Sequence, residues 1–170
     1  MVSHPSNFAL SSFIRSFSAA CSAPGVFNKT AQSAHLVPWK APPMRKNISG
    51  SSPFEPIIGF SRAVRIGNTI HVSGTGPVGA DEADAATQTR HILTLIQSAL
   101  EKSGARLEDV VRTRMYLTHV DDWEAVGRVH GEFFGTIRPA ATMLVVAKLL
   151  NPSWRVEIEA DAVIPQPESQ

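Results

Sequence analysis

Three carboxylates alternate with aliphatic residues in Val156-Glu157-Ile158-Glu159-Ala160-Asp161. Successive side chains of a strand point to opposite faces, so Glu157, Glu159 and Asp161 share one face and Val156, Ile158 and Ala160 the other. A carboxylate held on such a surface can orient and deprotonate a water molecule. Arg112, Arg114, Arg138 and Arg155 are available as positive partners for these acids. A row of acids on a strand face also has a plainer use, in discouraging edge-to-edge pairing of sheets. If a second subunit covers that face, at least one acid needs a positive partner or a water-filled cleft.

Other chemistries find less support. His71, His119 and His130 lack metal-ligand spacing, and His130 falls within an apolar helical stripe, as a core histidine does. Ser73 precedes Gly74 but has no His and Asp pattern around it, which argues against a serine hydrolase. The loop containing Gly74, Gly76, Pro77 and Gly79 lacks both the phosphate-cradling spacing and a helix-opening lysine, so it carries no nucleotide site.

The chain has 170 residues, enough for one domain, with 43% hydrophobic and 18% charged residues. No apolar run approaches the roughly 20 residues that span a bilayer, so no membrane role is expected. The single cysteine, Cys21, excludes an internal disulfide framework. Residues 1–46 hold five of the 16 basic residues and none of the 15 acidic ones. The other 11 basic residues face all 15 acids, which leaves residues 47–170 at −4 and a poor match for a nucleic-acid backbone.

Residues 1–46 are Ser- and Ala-rich, with Phe8, Leu10, Phe13, Ile14 and Phe17 at helical spacing around Arg15. This acid-free, weakly amphipathic composition is that of an organelle transit peptide, implying a mitochondrial location. The alternatives are a disordered tail of a cytoplasmic protein, or a true start at Met44. Asn28-Lys29-Thr30 and Asn47-Ile48-Ser49 match the glycosylation pattern but lack a secretory signal to go with it. The expected organisation is an extension over 1–46, a domain over 47–165 and a short tail over 166–170.

Within the domain, alternating runs over 60–66 and 69–73 joined by Gly67-Asn68 predict a β-hairpin. A helix is predicted from Asp84 to Ser103, with Ala85, Ile92, Ile96, Ala99 and Leu100 on its buried face and Gly104 capping its end. A strand follows over 110–120, placing Arg112, Arg114, Tyr116 and Thr118 opposite Val111, Thr113, Met115 and Leu117. A second helix is predicted to open at Asp121 with Glu124 completing a capping box. Trp123, Val126, Val129, His130 and Phe133 would be its buried stripe, and Gly135 its end. Strands over 140–149 and 154–163 complete the chain. The fold class is α+β, a mixed sheet with two helices on one face, whose other face stays open unless another subunit meets it.

Several of these stretches occur together in one known family. Gly67-Asn68, Val72-Ser73-Gly74, Gln88-Thr89-Arg90, Leu107-Glu108-Asp109-Val110-Val111, Phe133-Phe134-Gly135, Arg138-Pro139-Ala140 and Val156-Glu157-Ile158-Glu159-Ala160 follow one another in order. With them the chain resembles the RidA/YjgF-type reactive-intermediate deaminases over residues 60–163. The resemblance implies a chorismate-mutase-like fold and a homotrimer whose sheets line a central barrel, with a small-molecule cleft at each subunit boundary. It implies hydrolysis of imines or enamines to a 2-oxo acid and ammonia, with neither metal nor organic cofactor.

By the same resemblance Glu157 stands at the position of the water-handling glutamate, and Ser73 and Gly74 at the strand end lining the cleft. The family's deaminases carry an arginine immediately after the Pro-Ala pair, where this chain has Ala141. Phe60, Gly127 and Met143 stand for the family's tyrosine, asparagine and cysteine, so Phe60, Ala141 and Met143 describe a less polar pocket. Arg114 either replaces the missing cation or pairs with Glu159 or Asp161 across the trimer. Three functions stay open: hydrolysis of an imine, enamine or related electrophile that lacks the usual carboxylate handle and is bulkier or less charged than a small amino-acid-derived imine; non-catalytic binding of a metabolite or partner; and recruitment to another step on a reactive carbonyl compound.

Overall fold

Alternation and helical periodicity become six strands and two helices in the computed structural model, which describes residues 44–166. In chain order these are β1 (Arg45–Ile48), β2 (Ala63–Ile66), β3 (Thr69–Thr75), α1 (Ala85–Ser103), β4 (Val110–Leu117), α2 (Trp123–Phe134), β5 (Ala140–Val145) and β6 (Val156–Val163). The transit-peptide reading, Cys21 and Asn28 lie outside the described residues. The strands form one sheet in the order β1-β2-β3-β6-β4-β5. All neighbours are antiparallel except β4 and β5, which α2 connects as a crossover requires.

The hairpin forms around Gly67-Asn68 with Ile66 opposite Thr69 and Ala63 opposite Val72. α1 has the expected bounds. The Asp84 carboxylate accepts a hydrogen bond from the Thr87 amide at 2.7 Å, and Gly104 ends the helix at φ 82°, a left-handed conformation that suits glycine. Its apolar stripe packs on β3 and β6, with Ile92, Leu93, Ile96 and Leu100 fully buried. Burial of each such side chain stabilises the fold by about 1.5–3 kcal/mol. Val156, Ile158, Ala160 and Ala162 of β6 are buried beneath the helix layer, as their alternation requires.

Four expectations are corrected. β1 crosses the compositional boundary at 46/47: of its residues only Ile48 is buried, so the strand has no apolar alternation to reveal it. An irregularity between Val110 and Arg112 shifts the phase of β4, so Val110 is buried while Val111 is 47% exposed. The strands expected over 110–120, 140–149 and 154–163 are also shorter than their apolar runs. Finally, α2 opens at Trp123 rather than Asp121 and has no side-chain cap. The preceding carboxylate, Asp122, is gripped at 2.8 Å by both Nε and Nη2 of Arg155, and Glu124 pairs with Arg128 one turn on. Trp123, at the mouth of the helix, is 60% exposed rather than buried, and Phe134, which the expected stripe did not include, lies in the core beside Val126 and Val129 while Phe133 is only partly buried.

Candidate functional site

The face of the sheet opposite the helices carries Glu157, Glu159 and Asp161. Neighbouring strands add His71 and Ser73 from β3 and Arg114 and Tyr116 from β4. These side chains divide into two groups along β6.

The first group surrounds Glu157. Pairing between β3 and β6 is irregular from Val72 to Thr75, and there the backbone of Gly74 comes up against the Glu157 carboxylate. A Cβ on residue 74 would overlap Glu157 Oε1, the far end of a flexible side chain, so glycine is what lets the carboxylate rest in this position. Arg62, just before β2, donates from Nη1 to the Gly74 carbonyl at 3.2 Å and to Thr75 Oγ1 at 2.9 Å. Thr75 Oγ1 in turn donates to the Ser73 carbonyl, while Ser73 Oγ donates to the Ser61 carbonyl at 2.7 Å. Burial pushes the Glu157 carboxyl above its ordinary pKa, Glu159 adds to the push, and the Arg62 charge opposes it. The structure places Glu157 against Gly74, with Ser73 next to it in β3. Phe60 sits half-buried two residues before Arg62, its amide closing the Glu55–Gly59 turn on the Glu55 carbonyl at 3.1 Å.

Arg62 escaped the sequence analysis because it occupies one polar place in an alternating run. The hairpin register held the signal: with Ala63 opposite Val72, Arg62 falls opposite Ser73, and the Ser73 amide indeed donates to the Arg62 carbonyl at 3.1 Å.

The second group is a closed ionic chain. Arg114 Nη1 reaches Asp161 Oδ2 at 3.2 Å and Glu159 Oε1 at 3.4 Å. Tyr116 donates its hydroxyl to Glu159 at 2.7 Å, and His71 Nδ1 meets Asp161 at 2.7 Å. The pairing expected across a subunit boundary is therefore satisfied within one chain, because β4 and β6 are neighbours with Arg114 directly opposite Glu159. A depression of about 410 Å³ lies over this group, lined by Val64, His71, Ser73, Arg114, Glu159 and Asp161. It meets the first group only at Ser73. Its cation already faces two carboxylates, whereas the desolvated acid, Glu157, lies beyond it.

Ala141 and Met143 sit opposite Thr113 and Met115 on the helix side of β5. Met143 Cε approaches Gly127 there, so within one chain neither residue shares a face with Glu157. His130 is a satisfied core histidine: Nε2 bonds Thr113 Oγ1 at 2.9 Å, the ring packs on Phe134, and burial lowers its pKa. Among the described residues, no three His, Cys, Asp or Glu side chains are grouped to hold a metal ion.

Residues 50–164 match the family profile described as "Endoribonuclease L-PSP". A protein of Dermatophagoides farinae named 2-iminobutanoate/2-iminopropanoate deaminase is 35% identical over 122 residues, covering 65% of this chain and 89% of its own. The 3-aminoacrylate deaminase RutC of Acinetobacter baylyi is 32% identical over 112 residues, covering 63% and 88%. Among solved structures, a Mycobacterium tuberculosis protein described as a member of the YjgF/YER057c/UK114 family is 48% identical. It covers 71% of this chain and all of its own, with a TM-score of 0.67.

Proposed function

We infer that this chain, which belongs to the RidA/YjgF family, hydrolyses imines or enamines derived from amino acids, with Glu157 handling the water. The observation that carries the reading is the Glu157 carboxylate, pressed against the Gly74 backbone and desolvated enough to raise its pKa. A carboxyl raised toward neutrality is a better proton carrier at physiological pH than an ordinary one. The deaminase names of two relatives support the reaction class.

Protonation of the imine nitrogen makes its carbon electrophilic. Glu157 takes a proton from water as the oxygen bonds to that carbon and the π electrons move to nitrogen. The resulting amino alcohol recovers the proton at nitrogen, the C–N bond breaks, and the hydroxyl proton returns to Glu157 as the carbonyl forms. Ammonia carries that proton away and restores the carboxylate. The sum is protonated imine plus water giving a 2-oxo acid plus ammonium.

We place the site at a boundary between copies of the chain, as a homotrimer. Two features support self-association: the helix-free face, and the apolar edge strand β5, with Leu144 and Val145 each more than half exposed. A second copy would also be needed to bring Ala141 and Met143 toward a Glu157. Ala141 favours one competing reading, a trimer that binds a metabolite without turnover, because the cation expected at that position is missing. The acidic balance of residues 47–170 makes RNA a poor substrate guess.

The decisive assay follows 2-oxobutanoate formation from 2-iminobutanoate generated in situ by an amino-acid oxidase. Wild-type protein is expected to exceed buffer hydrolysis, and Glu157→Gln to lose about 10²-fold or more of that excess. Equal rates for the two proteins would sink the hydrolytic reading.

A further inference from the structure

Among the described residues Arg90, Arg114, Arg128 and Arg155 each form an ion pair with a carboxylate, whereas two half-buried arginines, Arg62 and Arg65, carry none. Arg65 spends Nε and Nη1 on the Gly67 and Ser103 carbonyls, and Arg62 stands beside the candidate base. The two bonds of Arg62 go to neutral oxygens, the Gly74 carbonyl and the Thr75 hydroxyl, and both use Nη1. Nε and Nη2 find no acceptor among the described residues. A guanidinium anchored through one nitrogen, with Nε and Nη2 open to solvent, presents the rest of its fork to an anion.

Its place relative to Glu157 gives the anion a chemical identity. Arg62 holds Gly74 by the carbonyl oxygen, and the Glu157 carboxylate presses on the same residue at Cα. Cation and base thus flank a single residue without forming an ion pair. In a 2-imino acid the carboxylate is bonded directly to the electrophilic carbon. A substrate of this class needs its anion-binding group and its base within a few ångströms of each other, yet not neutralising each other. We propose that Arg62 is the specificity-determining residue of the site, binding the carboxylate of 2-imino and 2-oxo acids while Glu157 stays free for water. The inference rests on the hydrolytic reading and deepens it: Arg62 takes over the role that an arginine at position 141 would have had. Arg114 is unsuited to that role, since Glu159 and Asp161 already occupy its fork.

Equilibrium binding separates this claim from the activity claim. The probe is 2-oxobutanoate, the carbonyl product of 2-iminobutanoate hydrolysis, titrated into full-length protein, with methyl 2-oxobutanoate as the uncharged comparator. Arg62→Gln should weaken 2-oxobutanoate binding tenfold or more, Arg62→Lys should fall between it and wild type, and ester binding should not change. Thermal unfolding checks that each variant folds; if Arg62→Gln does not, the charge-retaining Arg62→Lys decides by its acid-to-ester ratio. Three results overturn the proposal: no binding of 2-oxobutanoate by wild type, equal binding by wild type and Arg62→Gln, or parallel loss of acid and ester. In the imine assay Arg62→Gln should raise KM tenfold or more for 2-iminobutanoate, with a smaller change in kcat. Arg62-dependent binding without turnover would defeat the hydrolytic reading and leave this one standing. Turnover with an unchanged KM in Arg62→Gln would do the reverse.

Discussion

The two ends of the acidic face of β6 hold similar side chains in opposite electrostatic conditions. At one end Arg114, Glu159, Asp161, Tyr116 and His71 satisfy one another in a continuous chain of contacts. At the other, Glu157 is desolvated against Gly74, and Arg62 is tied only to neutral oxygens. Compensated charges hold strands together and tolerate water. Uncompensated ones cost stability and persist where a ligand or a reaction supplies the missing partner. Three carboxylates equivalent in alternation thus differ in electrostatic condition through their neighbours.

The largest expected effect breaks the comparison at its reactive end. Glu157→Gln keeps the shape and removes the proton carrier, so kcat for 2-iminobutanoate should fall by about 10²-fold or more, as steady-state kinetics would read. Gly74→Ala should follow, since its Cβ must displace the Glu157 carboxylate. We expect activity to drop roughly tenfold and stability by about 1–3 kcal/mol, the range for overpacked sites, measured by kinetics and denaturant unfolding. An unaltered Gly74→Ala enzyme would show that the contact does not position Glu157.

The compensated end should respond differently. Arg114→Met leaves Glu159 and Asp161 facing each other without their cation. The pair is partly solvated, so the stability loss should be only about 1 kcal/mol, with imine hydrolysis within about twofold of wild type. A collapse of KM instead would move the anion site to Arg114.

The smallest effect is a pH dependence of stability. Folding raises the Glu157 pKa, so between its ordinary value and its raised one the native state holds more protons than the unfolded chain. Stability contributed by this group therefore falls as pH rises through that window, and the full cost of ionisation is present above it. Glu157→Gln should melt higher than wild type at about pH 8, and the gap should close near pH 4, where the unfolded carboxyl is also protonated. A gap independent of pH would mean that Glu157 is not desolvated.

Local signals were read most faithfully. α1 was legible from Asp84 to Gly104 because its cap, its stripe and its terminating glycine all act within a few residues of one another. α2 was less so: Asp122 serves Arg155, which is remote in sequence, rather than its own helix, and this leaves Trp123 at an exposed mouth. Val111 was misplaced because no composition announces the irregularity that shifts the phase of β4. At the candidate site, alternation puts Glu157 on the helix-free face, and the family resemblance adds Ser73 and Gly74. Neither signal finds Arg62, although the hairpin register already placed it opposite Ser73.

Local pattern suffices for the α+β class, the bounds of α1, and the face of β6 that carries its carboxylates. These follow from the strand period of two and the helical period of 3.6, which any segment of chain obeys without reference to the rest. Which carboxylate is paired and which is desolvated depends on the assembled sheet. Arg114 meets Glu159, and Gly74 meets Glu157, across strands separated by dozens of residues in the chain. A charge acquires its partners and its dielectric surroundings from contacts that exist only once the sheet has assembled.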